Sequence, residues 1–205
     1  MTPIPDRSVS PASAGPGETD LLLRRTRAGL WLTLGCVALF AVGDLDVDPA
    51  ILRPLYTLKL GHVVLLVALL GVMRRVATWR GAVAAALLTV NITFCCIATT
   101  DVWAGHLDTM PLLGVVCSMA AATLLPWGIW PQAVTVTVIQ AGTLWAFART
   151  GKPLAALADP VTAVTGALLV SVYVAYEFGR YRAERTGAEA ALAQRARLEA
   201  LRADV

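Results

Sequence analysis

The chain has 205 residues, of which 57% are hydrophobic and only 15% are charged. Soluble domains carry about 25% charged residues, so the composition is that of an integral membrane protein. It leaves room for several spans of about 20 residues and excludes a large soluble domain beside them. The net charge of +3 says little in itself; where the basic residues fall says more, because Lys and Arg set topology.

Residues Met1 to Asp20 are rich in Pro, Ser, Gly and Thr and contain no apolar run. They are expected to be disordered rather than a secretory signal, and residues 1–23 are taken as a cytosolic tail. A first span is predicted over Ala28 to Gly43, behind Arg24, Arg25 and Arg27. A second runs from about Leu55 to Met73 and stops at Arg74-Arg75; a third starts after Arg80 and ends near Thr100. The fourth covers Met110 to Leu125 and ends at Pro126-Trp127-Gly128-Ile129-Trp130-Pro131. The fifth covers Gln132 to Ala148, and the sixth begins after Asp159-Pro160. The fold expected is an all-α bundle of six transmembrane helices over residues 24–178.

Ten basic residues (Arg7, Arg24, Arg25, Arg27, Arg74, Arg75, Arg80, Arg180, Arg182 and Arg185) collect on one side of such a bundle. Four (Arg53, Lys59, Arg149 and Lys152) collect on the other. The excess predicts that both termini are cytoplasmic, as an even number of spans requires. Trp79, Trp103, Trp127, Trp130 and Trp145 fall near predicted span ends, where indole rings anchor at the interface. The outer loops are too short to fold as a ligand-binding domain, so any stimulus is expected to act on the spans or on these loops.

Polar residues within spans mark functional positions. Lys59 and His62 are three residues apart and share a helix face, which suits an anionic headgroup, a quinone-type molecule or a proton. The following outer loop holds Asp101, His106 and Asp108, which could join His62 as a pH-sensitive group or as metal ligands, although two histidines on separate loops make no metal motif. We expect no bound metal or cofactor. Asn91 and Gln140 lie near the middle of the third and fifth spans and read as contacts between helices. The four cysteines, Cys36, Cys95, Cys96 and Cys117, sit in apolar stretches without metal or haem spacing. No catalytic or nucleotide-binding motif is present, so no enzyme activity and no nucleic-acid partner are expected.

The sixth apolar stretch, about Val161 to Tyr176, runs without a proline into a segment rich in Ala, Arg, Glu and Leu. Residues 179–205 are expected to form a cytosolic signalling-type helix, with Glu177, Arg180 and Arg182 at the junction. Ala191, Leu198 and Val205 are spaced by seven, with Gly187, Gln194 and Leu201 at the partner positions. That is less than three heptads, short of a sustained coiled-coil pattern. Pairing is expected only in a homodimer already held together in the membrane, and a solvated, Arg-rich helix lying on anionic lipid is the rival expectation.

Three stretches carry a resemblance. They are Pro54-Leu55-Tyr56-Thr57-Leu58-Lys59-Leu60; Ala121 to Gly128 with Pro131-Gln132; and Ser171-Val172-Tyr173-Val174-Ala175-Tyr176-Glu177 with Arg180-Tyr181-Arg182. Together, over about residues 24 to 185, they resemble the six-span N-terminal input region of bacterial sensor histidine kinases and related membrane-anchored signalling proteins. The resemblance implies an input module of the bacterial inner membrane that drives a cytosolic output domain or kinase partner, as in two-component systems. No phosphoacceptor-histidine box or ATP-binding glycine motif follows in this chain. A small solute transporter or channel, or a membrane scaffold without signalling, are the rival expectations.

Overall fold

A computed structural model describes residues 16–105, 109–149 and 154–203. All regular structure among these residues is helical: α1 (Pro16–Gly43), α2 (Pro49–Met73), α3 (Trp79–Ala104), α4 (Thr109–Leu124), α5 (Ile129–Arg149) and α6 (Leu154–Ala203). A single 3-10 turn, Asp44–Asp46, follows α1.

Local chemistry sets the helix ends. The Asp48 carboxylate accepts from the Ala50 amide at 2.9 Å, and Pro49 opens α2 where no intrahelical donor is needed. Thr78 caps α3 by accepting from the Gly81 amide at 3.2 Å. At the other end of α3, Gly105 adopts φ 77°, a left-handed conformation that glycine takes without strain. Pro54 and Pro160 each lie inside a helix but close to its N-terminus, where a missing amide removes one early hydrogen bond.

Helices α1, α2, α3 and α6 are long and apolar enough to cross a membrane. With 16 residues, α4 rises about 24 Å, less than the roughly 30 Å of a hydrocarbon core. Gln132, Thr135, Thr137, Gln140 and Thr143 interrupt the apolar run of the 21-residue α5, which is not among those four. Every expected apolar stretch thus forms a helix, and long apolar helices are compatible with a membrane protein.

The structure differs from the sequence expectation at the N-terminus. Helix α1 starts at Pro16, inside the stretch expected to be a disordered tail, and Leu22 and Leu23 are buried. They pack into a cluster with Leu30, Leu66, Leu69, Met73, Ala82, Ala85, Ala86, Ala121, Leu125 and Trp127. Burial of this short leucine run outweighs the disorder suggested by the residues around it. Two arginines add to the fit: Arg25 donates to the Leu124 carbonyl at 2.8 Å, and Arg27 to the Met73 carbonyl at 3.1 Å. Each places a cation at a helix C-terminus, where the macrodipole is negative and carbonyls lack intrahelical partners.

At the centre of the bundle α3 touches α1, α2, α4 and α5, while α6 packs on α4 and α5. A second cluster gathers Phe94, Ala98, Met110, Ile139, Ala146, Val164 and Leu168. Its key is Phe94, fully buried and seated against Gly114 and Gly142. A Cβ added at Gly142 would lie 2.6 Å from the Phe94 ring, and one at Gly114 would lie 2.9 Å from Ile139. Glycine at both positions leaves room for the Phe94 ring, and at Gly114 also for the Ile139 side chain.

Candidate functional site

An open trough of about 650 Å³ runs along the α2–α3 seam at the end opposite the arginine-rich loops. On α2 its wall follows one stripe, Arg53, Pro54, Thr57, Leu58, Gly61, His62 and Leu65; on α3 it is made by Cys96 and Trp103. Those spacings of three, four and seven place the residues on facing helix surfaces. A second hollow of about 460 Å³ shares Pro54 and Trp103 as walls and adds Arg149 from the end of α5.

His62 is buried, with Nε2 3.4 Å from the Thr93 hydroxyl on α3, so it joins the two helices as well as lining the trough. Lys59 does not line the trough. It forms an ion pair with Asp44, both side chains being mostly buried, and so fastens α2 to the turn after α1. The Tyr56 hydroxyl makes a parallel tie by donating to the Ala41 carbonyl at 2.6 Å. Asp101 lies in the last turns of α3, half-buried and engaged in an interaction of its own. His106 and Asp108 lie outside the described residues. Among the described residues, no group of three or more His, Cys, Asp and Glu side chains is arranged to hold a metal ion.

Asn91 does reach a neighbouring helix. Its amide donates to the Leu87 carbonyl at 2.8 Å and approaches the Thr135 hydroxyl of α5 at 3.4 Å. Its Oδ1 and the Oε1 of Gln140 are buried and accept no hydrogen bond from the described residues.

A third polar feature went unnoticed in the sequence. The fully buried Gln132 of α5 donates through Nε2 to the Ser118 carbonyl (3.0 Å), the Ser118 hydroxyl (3.0 Å) and the Ser171 hydroxyl (3.1 Å). Its Oε1 accepts from the Trp127 indole at 3.2 Å. The two serine hydroxyls are 2.7 Å apart, and Ser171 also donates to the Leu168 carbonyl at 2.7 Å. One amide thus holds α4, α5 and α6 together. Serines within apolar helices, with a glutamine near a span end, were the available signal, since small polar residues favour close helix contacts.

Beyond Ala175, its last buried residue among those described, α6 leaves the bundle without a break. Residues 183–199 are exposed throughout. At the junction Glu177 lies 4.0 Å from Arg180, which pairs with Glu184 at 3.1 Å, and Arg185 pairs with Glu189 at 2.9 Å. The hydrogen bond to Glu184, helped by the charges of Glu177 and Glu184, raises the Arg180 guanidinium above its ordinary value. Arg182 shifts the other way. Burial lowers it, the nearby Arg25 of α1 lowers it further, and Glu18 opposes both. Its Nε donates to the Phe178 carbonyl at 3.1 Å.

No protein-family model matches the chain, and no curated protein or solved structure does.

Proposed function

We propose that this chain is a six-span input module of the bacterial inner membrane, with both termini cytoplasmic, which converts a change within the bundle into movement of its last helix. The observation that carries this reading is α6: one 50-residue helix, Leu154–Ala203, at about 1.5 Å per residue roughly 75 Å long. Its first part is packed against α4 and α5, and its last part is exposed. The Gln132 hub supports the reading, because a change in how α4 and α5 sit is felt directly at Ser171. The exposed part has Leu192 and Leu198 uncovered, which suits pairing with a second copy and delivery to a cytosolic output domain or kinase partner. The sequence resemblance to sensor-kinase input regions points the same way.

The test is to fuse a known dimeric output domain after Val205 and insert one to seven residues between Phe178 and Arg185. Output should rise and fall with the helical repeat of about 3.6 residues. A response indifferent to insert length would rule out transmission through α6.

A second reading, a small solute path between α3 and α5, draws on the unpartnered oxygens of Asn91 and Gln140. Solute flux in proteoliposomes, lost in Asn91→Leu or Gln140→Leu, would favour it over the input module.

A further inference from the structure

We infer that the α2–α3 trough is a binding site for one anionic phospholipid, with its phosphate between Arg53 and Arg149 and an acyl chain along the α2 stripe. This site does not depend on α6 acting as a transmitter.

Charge carries the first part of the argument. Among the described residues neither Arg53 nor Arg149 has an ion-pair partner, whereas Lys59 at the same end is neutralised by Asp44. Asp48 is engaged at the α2 N-cap, and Asp101 does not line the trough. Both arginines border hollows that share Pro54 and Trp103, so a ligand crossing those two residues would meet both guanidinium groups. Guanidinium forks match phosphate geometry better than ammonium groups do.

Shape carries the second part. From Arg53 to Leu65 the stripe spans about 18 Å at 1.5 Å per residue, slightly more than half of a roughly 30 Å hydrocarbon core. That length fits a headgroup and one acyl chain of a single leaflet. The walls below the arginines are mainly apolar, and the Thr57 hydroxyl is turned back on its own helix, donating to the Arg53 carbonyl at 2.8 Å. Trp103 stands half-exposed at the upper wall, a position indole rings favour at headgroup level. Gly61 leaves the trough open: a Cβ added there would meet nothing within 4 Å.

That last fact supplies a steric probe that should not disturb the fold. The experiment places the full chain in phosphatidylcholine bilayers with spin-labelled phosphatidylglycerol or spin-labelled phosphatidylcholine and reads the immobilised fraction of each. The wild type should immobilise phosphatidylglycerol in preference to phosphatidylcholine. Arg53→Gln and Arg149→Gln should each lower that preference about fivefold, as expected for roughly 1 kcal/mol per basic residue at a membrane surface. Gly61→Leu should reduce the immobilised fraction of phosphatidylglycerol while both arginines remain in place. A preference unchanged in the double arginine variant would overturn the proposal, as would an immobilised fraction unchanged by Gly61→Leu. None of these readouts involves α6 output, so failure here and failure of the input-module reading are distinguishable.

Discussion

Replacing Gln132 with Met tests whether one side chain holds three helices together. The two residues are similar in volume, so packing is nearly conserved while all polar contacts are lost. The Gln132 amide donates to Ser118 and Ser171, and its carbonyl accepts from Trp127. Hydrogen bonds between helices in a membrane average about 0.6 kcal/mol, so the lost donations account for roughly 1–2 kcal/mol. The Trp127 indole N–H, in a residue only 4% exposed, is left without an acceptor, which costs about 1–3 kcal/mol more. The total is about 2–5 kcal/mol, a large fraction of ordinary domain stability. Ser171→Ala should cost far less, about 1 kcal/mol, because Gln132 keeps Ser118 and Trp127. Reversible unfolding in mixed micelles or bicelles gives both values. If Gln132→Met lies within about 0.5 kcal/mol of wild type, or if Ser171→Ala proves the more damaging, the hub is not organised as described.

The Phe94 slot and the Lys59–Asp44 pair give two further predictions. Gly142→Ala should destabilise by about 1–3 kcal/mol, the usual range for overpacking, because the new Cβ meets a rigid ring; Phe94→Leu in the same chain should recover part of the loss, and strict additivity of the two in thermal unfolding would contradict the contact. Lys59→Met should leave Asp44 mostly buried and uncompensated, costing somewhat less than the about 3–5 kcal/mol of a fully buried pair; adding Asp44→Asn should restore stability, and a double variant weaker than Lys59→Met would count against the pairing.

The helices were legible because apolar runs bounded by Arg, Pro and Trp leave few choices. The second, third and fourth expected spans fall inside or within a residue of α2, α3 and α4. The start of α1 was not legible, because Leu21, Leu22 and Leu23 are too few to register as a span and gain their meaning only from partners on other helices. The start of α6 was missed for a related reason: Pro160 reads as a boundary in sequence, yet the helix begins at Leu154 and runs on through it. Site residues divide along the same line. His62 was identified as an unusual polar residue in an apolar helix, and it lines the trough. Lys59, three residues away, turns to Asp44 on another segment, a pairing that spacing along one helix cannot reveal. The Gln132 hub joins three helices and leaves no periodic trace in any one of them.

The clasp made by the N-terminal half of α1 has a consequence for biogenesis. Leu22 and Leu23 share their cluster with Leu125 and Trp127, and Arg25 donates to the Leu124 carbonyl. Helix α1 is therefore made before the end of α4, on which the Arg25 turn settles. Over that interval, at about 5–20 residues per second, those leucines are available to other hydrophobic partners. The N-terminal half of α1 is thus made before the last of the partners that hold it.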